Sequence, residues 1–176
     1  MKKLINIKSC TIAVLIVTLT ACTKNLDLSP KYGLNSVSVY DDPNNYIHVL
    51  PKIYAGFNLS GNKGPAGQPD LGGIDEGFSS YVRVLWNLQE LPTDEAVCAW
   101  SDPGIPDLNK MTWSADNSFV KAMYYRIYFQ VALCNEFIRE TEDGKLESRG
   151  FTDAQVSSIK QYRLEARFLR ALSYYH

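Results

Sequence analysis

The chain has 176 residues, 45% of them hydrophobic and 21% charged, the profile of one folded domain at most and not of a disordered or collagen-like chain. Residues 1–21 hold three lysines and no acid, so the rest carries 15 basic residues (18 less those 3) against 19 acidic ones. A body near −4 with no Lys/Arg cluster repels phosphate backbones, which disfavours nucleic acid as a partner.

Met1 to Lys8 is a basic leader and Cys10 to Leu19 (CTIAVLIVTL) an apolar run of signal-peptide length, well short of the roughly 20 residues that span a bilayer. Residues 1–21 therefore read as an export signal. Leu19-Thr20-Ala21-Cys22 resembles a bacterial lipobox, in which cleavage precedes the cysteine and its thiol takes a lipid. Cys22 is the expected lipidation site, and the anchor the expected attachment to a membrane. Residues 22–40, polar and containing Pro30 and Gly33, read as an extended tether. The folded body is expected over 41–176.

With Cys10 removed and Cys22 acylated, Cys98 and Cys134 remain. An exported protein allows a disulfide between them, and two buried free thiols are the favoured reading. His48 and His176 are the two histidines and supply no zinc-ligand spacing, so no metal site and no cofactor is assigned.

Helical patterns dominate the body. Asp41-Asp42-Pro43 offers a capping acid and a first-turn proline, followed by Tyr46, Ile47, Leu50, Ile53, Tyr54 and Phe57 at helical spacing. Pro51 should kink that helix, and His48 reads as an ordinary histidine on it. Residues 60–77 (SGNKGPAGQPDLGGIDEG) hold six glycines and two prolines and form a long loop, with no strand and no P-loop or dinucleotide fingerprint around Gly61, Gly64 and Gly67.

Ser79 to Leu91 reads as a helix capped by Ser79 or Ser80, with Tyr81, Val82, Leu85, Trp86 and Leu88 apolar and Pro92 beyond it. Thr93 or Asp94 can cap a short helix through Trp100, and 101–109 (SDPGIPDLN) reads as a turn-rich loop. Asp116 or Asn117 opens the strongest helix. Its apolar stripe runs Phe119, Val120, Met123, Tyr124, Ile127, Tyr128, Val131, Cys134, Phe137, Ile138, and Gly144 is expected to stop the chain's helical run beyond it. Thr152-Asp153-Ala154-Gln155 has capping-box form, and Val156, Ile159, Tyr162 or Arg163, Ala166, Leu169 and Leu172 or Ser173 share one face. These two helices predict an antiparallel hairpin. The last pattern has no stop signal at His176, which reads as a fragment whose hairpin lacks stacking partners.

Enzyme readings fail on geometry. Asp75-Glu76 and Asp94-Glu95 are adjacent pairs whose side chains diverge, so neither is a ready acid and base. No GxSxG elbow exists, and neither Cys98 nor Cys134 has a histidine placed to activate it.

The order of lipobox cysteine, LDLSP, PDLGGIDEG, SSYVRVLWNLQ, ELPTDE, Trp100, Trp113-Ser114 and EARFLRALSYYH resembles the SusD/RagB family. Its members are non-catalytic glycan-binding outer-membrane lipoproteins that serve polysaccharide utilisation, partnered with a SusC-like TonB-dependent transporter. The resemblance covers Cys22 to His176, the N-terminal portion of a much longer protein. It implies a mainly α fold of tetratricopeptide-like hairpins with irregular Gly-rich loops, an outer-membrane location facing the cell surface, and nutrient uptake. Asp75 and Arg83 match positions of polar sugar contacts, and Trp100 the position of an aromatic one. Alternatively Asp75 caps the following helix, Arg83 is a solvated side chain, and Trp100 docks the preceding helix as core. Cys98 stands where starch-binding members carry a tryptophan, and cysteine cannot form a stacking platform, which argues against starch. A rival function is a helical-hairpin adaptor lipoprotein that binds protein partners alone.

Overall fold

The computed structural model describes residues 35–60 and 70–176. The expected signal peptide, Cys22, the tether as far as residue 34, and Gly61, Gly64 and Gly67 lie outside the described residues. The chain divides into two compact units, Met1–Ser38 and Val39–His176. At the end of the first, Asn35 and Ser38 exchange bonds: the Ser38 N–H donates to Asn35 Oδ1 at 2.9 Å and the Asn35 N–H to Ser38 Oγ at 3.1 Å. That reciprocal cap starts helix α1 (Ser36–Tyr40), so the end of the expected extended tether is helical instead.

The described part is mainly α-helical, and no strand occurs among its residues. Asp42 caps a 3-10 turn at Pro43–Asn45, accepting from the Asn44 N–H at 2.9 Å. Helix α2 (Tyr46–Ala55) follows and passes through Pro51 without ending there. Its buried residues are Tyr46, Leu50 and Ile53, whereas Ile47 and Tyr54 lie on the solvent side with His48.

Helix α3 (Tyr81–Glu90) has Ser80 as its N-cap residue and buries Tyr81, Val84 and Asn87. Val82 and Trp86, read from the sequence as part of its apolar side, are exposed. No helix forms between Thr93 and Trp100. The Thr93 hydroxyl bonds back to the Glu90 carbonyl at 2.7 Å and accepts from the Glu95 N–H, a local closure that competes with a helical turn. The next short helix lies instead within the expected loop, as α4 (Ile105–Asn109). Gly104, at φ +96°, turns the chain into it, and Ile105 and Leu108 bury its inner side.

Helix α5 (Ser118–Glu140) begins at Asn117, whose Oδ1 accepts from the Phe119 N–H at 2.9 Å. Its buried side is not the expected stripe. Phe119, Met123, Val131, Cys134 and Phe137 are inside as read, but Tyr124 and Tyr128 are exposed and Arg126 and Gln130 are buried in their stead. Arg126 is tolerated there because it donates to the backbone carbonyls of Ser60 and Ser79, whereas Gln130 donates its amide N–H to the Ile53 carbonyl and leaves its amide oxygen without a hydrogen-bond partner among the described residues.

Gly144 does not stop the chain but sits inside a short helix, α6 (Asp143–Ser148). The capping box at Thr152 and Gln155 is present and opens α7 (Asp153–Tyr175), which buries Ile159, Ala166, Leu169 and Ser173. Arg163 reaches the Thr141 carbonyl and Arg170 reaches Asn135, both at 2.7 Å. As α7 runs forward its partners run back along α5, which makes the pair the expected antiparallel hairpin. Helix α2 packs on both, through Tyr40, Tyr46, Leu50, Ile53, Cys134, Phe137, Leu146, Ile159, Ala166 and Leu169 as one core. A second core gathers Phe78, Leu91, Ile105, Leu108 and Phe119, and it positions the candidate site.

Candidate functional site

Arg83 and Trp100 reach the surface over one ring, that of Phe78, and Asp75 lies three residues before it, at the start of the same turn. Asp75 accepts from the Gly77 N–H at 2.8 Å and so caps a 3-10 turn at Glu76–Phe78. The turn drives Phe78 inward, where it meets Phe119 edge to face at 5.6 Å. One residue later the Ser79 carbonyl accepts from Arg126 Nε at 2.6 Å, which fixes the entry to α3. Arg83, in the first turn of α3, lays its guanidinium over the Phe78 ring, 5.3 Å from the centroid. The Trp100 ring meets Phe78 at 5.3 Å and an interplanar angle of 69°.

The alternatives left by the sequence now separate. Trp100 is 58% exposed, so it is not a core residue docking a helix, and the short helix expected between Thr93 and Trp100 does not form. Its edge contact with a buried ring holds the indole while leaving the rest of its surface in solvent. Arg83 is exposed but oriented by Phe78. Asp75 caps the turn ahead of α3 and not α3 itself, whose N-cap Ser80 makes no side-chain bond. No ion pair joins Asp75 to Arg83. Cys98 is half-buried against the Phe78 core and its carbonyl accepts from Asn109 at 3.0 Å, so it fills space as a small apolar side chain.

Two residues of this surface were not singled out from the sequence. Phe78 is the hub, and the signal for it was its position as an aromatic between a capping acid and the helix that carries Arg83. Trp86, half exposed, lies three residues after Arg83 and so beside it on the helix. Its burial could not be inferred from an apolar run that α3 presents on more than one side.

The arrangement can hold a polyhydroxylated ligand. A guanidinium offers several donors to vicinal hydroxyls, a carboxylate accepts from them, and an exposed indole covers the C–H side of a sugar ring. Cys98 and Cys134 are free, and burial pushes the Cys134 thiol up to about 11, which disfavours its nucleophilic thiolate form. Among the described residues no group of three or more His, Cys, Asp or Glu could hold a metal ion, and no helix is long and apolar enough to cross a membrane.

No family model matches the chain. Against curated proteins, the chain is 38% identical over 166 residues to the starch-binding protein SusD of Bacteroides thetaiotaomicron, an alignment that takes in 94% of the chain and 27% of that protein. The chain thus spans about a quarter of the relative's length, and the likeness read from the sequence motifs is shown.

Proposed function

From a chain that is SusD-like over 94% of its length, we propose a non-catalytic glycan-binding protein that captures a polysaccharide or oligosaccharide at the cell surface. In this reading Cys22 carries a lipid that anchors the protein to the outer membrane, and the glycan passes to a SusC-like TonB-dependent transporter. Asp75, Arg83 and Trp100 supply the contacts, with Trp86 as a further aromatic beside Arg83.

The observation that carries the reading is the seating of Arg83 and Trp100 on one buried ring. Both rest on Phe78 at 5.3 Å, so a donor fork and an aromatic face are held ready without burying either. Held this way, they lose less side-chain freedom when a ligand arrives, which favours weak but usable sugar binding. The half-buried Cys98 beside them adds no second platform, which supports a glycan other than starch.

The test is calorimetric titration of the full chain in detergent, wild type and the Asp75→Ala, Arg83→Ala and Trp100→Ala variants, against a panel of soluble polysaccharides. Arg83→Ala is expected to cost about 1 to 3 kcal/mol, a loss of roughly 5- to 150-fold. Binding that all three variants retain would place the site elsewhere. A wild type that binds no polysaccharide would favour the adaptor function, with protein partners alone.

A further inference from the structure

A cleft of about 560 Å³ opens between the segment Asp70–Gly73 and the first two turns of α5, over a third cluster of buried residues, Tyr81, Val84, Ala122 and Met123. Asp70, Asp116, Ser118, Lys121 and Tyr125 line it, together with Gly72 and other small or apolar groups. It shares no lining residue with the Asp75, Arg83 and Trp100 surface. The geometry points to this cleft as a second saccharide subsite, for a short uncharged oligosaccharide unit. The inference rests on the glycan-binding reading and adds a place where the same class of ligand is held.

Its charges decide the ligand class. Asp70 is paired with Arg126 at 2.7 Å, and Asp116 with Lys121 at 3.6 Å. The lining is therefore polar but balanced, which disfavours a phosphate, a nucleotide or an acidic peptide and suits a neutral ligand rich in hydroxyls. The Asp70 carboxylate does not swing freely, because Arg126, 4% exposed, grips both of its oxygens. Each oxygen retains a lone pair for a sugar hydroxyl. Lys121 supplies donors across the cleft, and Ser118, whose hydroxyl hydrogen goes to the Pro103 carbonyl at 3.0 Å, supplies an acceptor.

The aromatic wall is Tyr125, 55% exposed. Its ring lies 5.8 Å from Tyr124, which in turn lies 4.7 Å from Tyr128, so the wall continues as a tyrosine cluster on the solvent side of α5. A tyrosine presents a face to sugar C–H groups and a hydroxyl to their oxygens. Tyr124 and Tyr128, read from the sequence as part of the apolar stripe, belong to this exposed cluster and do not fill a core.

The experiment titrates maltotriose, cellotriose and mannotriose, each separately, into the full chain in detergent, comparing wild type with Tyr125→Ala, Tyr125→Phe, Lys121→Ala and Trp100→Ala, with melting curves confirming each fold. At least one trisaccharide is expected to lose tenfold or more in affinity with Tyr125→Ala and several-fold with Lys121→Ala, to keep its affinity with Tyr125→Phe, and to be insensitive to Trp100→Ala. If every trisaccharide that binds depends on Trp100 and ignores Tyr125, the cleft is not a saccharide site while the glycan-binding reading stands. If none binds wild type at millimolar concentration and the polysaccharide panel also fails, both are overturned.

Discussion

Arg126 and Asp70 form a two-pronged ion pair across 56 positions of sequence, Nη1 to Oδ2 at 3.0 Å and Nη2 to Oδ1 at 2.7 Å. The same guanidinium donates to the Ser60 carbonyl at 2.7 Å and to the Ser79 carbonyl at 2.6 Å. One buried side chain therefore ties both described ends of the Gly-rich segment to α5 and sets the start of α3. Arg126→Leu should lower stability by about 3 kcal/mol, because two carbonyls and a carboxylate lose a charged donor at once. Asp70→Asn should cost less, since Asp70 is partly solvated and the two carbonyl bonds survive. Thermal melts of the two variants check the order, and an equal loss in both would mean that the carbonyls contribute nothing.

Gly56, the C-cap of α2, lies against Gln130 of α5. A Cβ there would collide with the buried Gln130 amide oxygen and come within 3.3 Å of the Ile53 carbonyl. Gln130 cannot swing aside cheaply, as its amide nitrogen donates to that same Ile53 carbonyl. Gly56→Ala is therefore expected to destabilise the chain by about 2 kcal/mol through overpacking, despite alanine's better helix propensity. A melting temperature equal to or above wild type would show that the two helices part without strain.

Local signals were legible in the sequence and remote ones were not. Asn117 and the Thr152 capping box announced the starts of α5 and α7, because a cap needs three or four neighbouring residues and no others. The spacing of Ile159, Ala166 and Leu169 gave the inner face of α7 for the same reason. The phase of α5 was misread around Arg126 and Gln130, whose burial depends on carbonyls 47 to 77 positions away, and no periodicity reports those. Asp75, Arg83 and Trp100 could be named from motif likeness, but the ring that brings Arg83 and Trp100 together, Phe78, is visible once the chain is folded. The seating of Trp100 on Phe78 is likewise a tertiary contact, which the residues beside it in sequence do not report.

The Thr152 cap gives a test of how much a local motif contributes to the hairpin. The Gln155 N–H donates to the Thr152 hydroxyl at 3.4 Å, and the Thr152 N–H donates to Gln155 Oε1 at 2.9 Å. Thr152→Ala removes half of that exchange and should cost about 1 kcal/mol. Thr152→Asp, which keeps an acceptor at the position and places negative charge at the helix start, should recover most of it. Equal melts for the alanine and aspartate variants would show that the cap is not what holds the first turn.

Acid should weaken the chain through Glu140. Its carboxylate is buried and faces Arg139 at 2.9 Å, Lys145 at 2.6 Å and Arg149 at 2.6 Å, and Arg149 also donates to the Tyr46 hydroxyl at 2.7 Å. Burial pushes the carboxyl's pKa up, but the hydrogen bonds from Lys145 and Arg149 and the positive charges of Lys145 and Arg139 outweigh it and hold the pKa below the ordinary value. A depressed folded pKa means that the unfolded chain binds the proton more readily. The stability from Glu140 is thus fully present above the unfolded value of about 4.3 and is lost as pH falls from there through the folded one. Glu140→Gln removes that contribution at all pH, so it should lower the melting temperature near neutrality and flatten the acid limb of stability against pH. At pH 7 the loss should be about 3 kcal/mol, because three cations face a position without charge. The check is a set of melts of wild type and Glu140→Gln from pH 3 to pH 7. Parallel curves across that range would show that Glu140 does not titrate with unfolding.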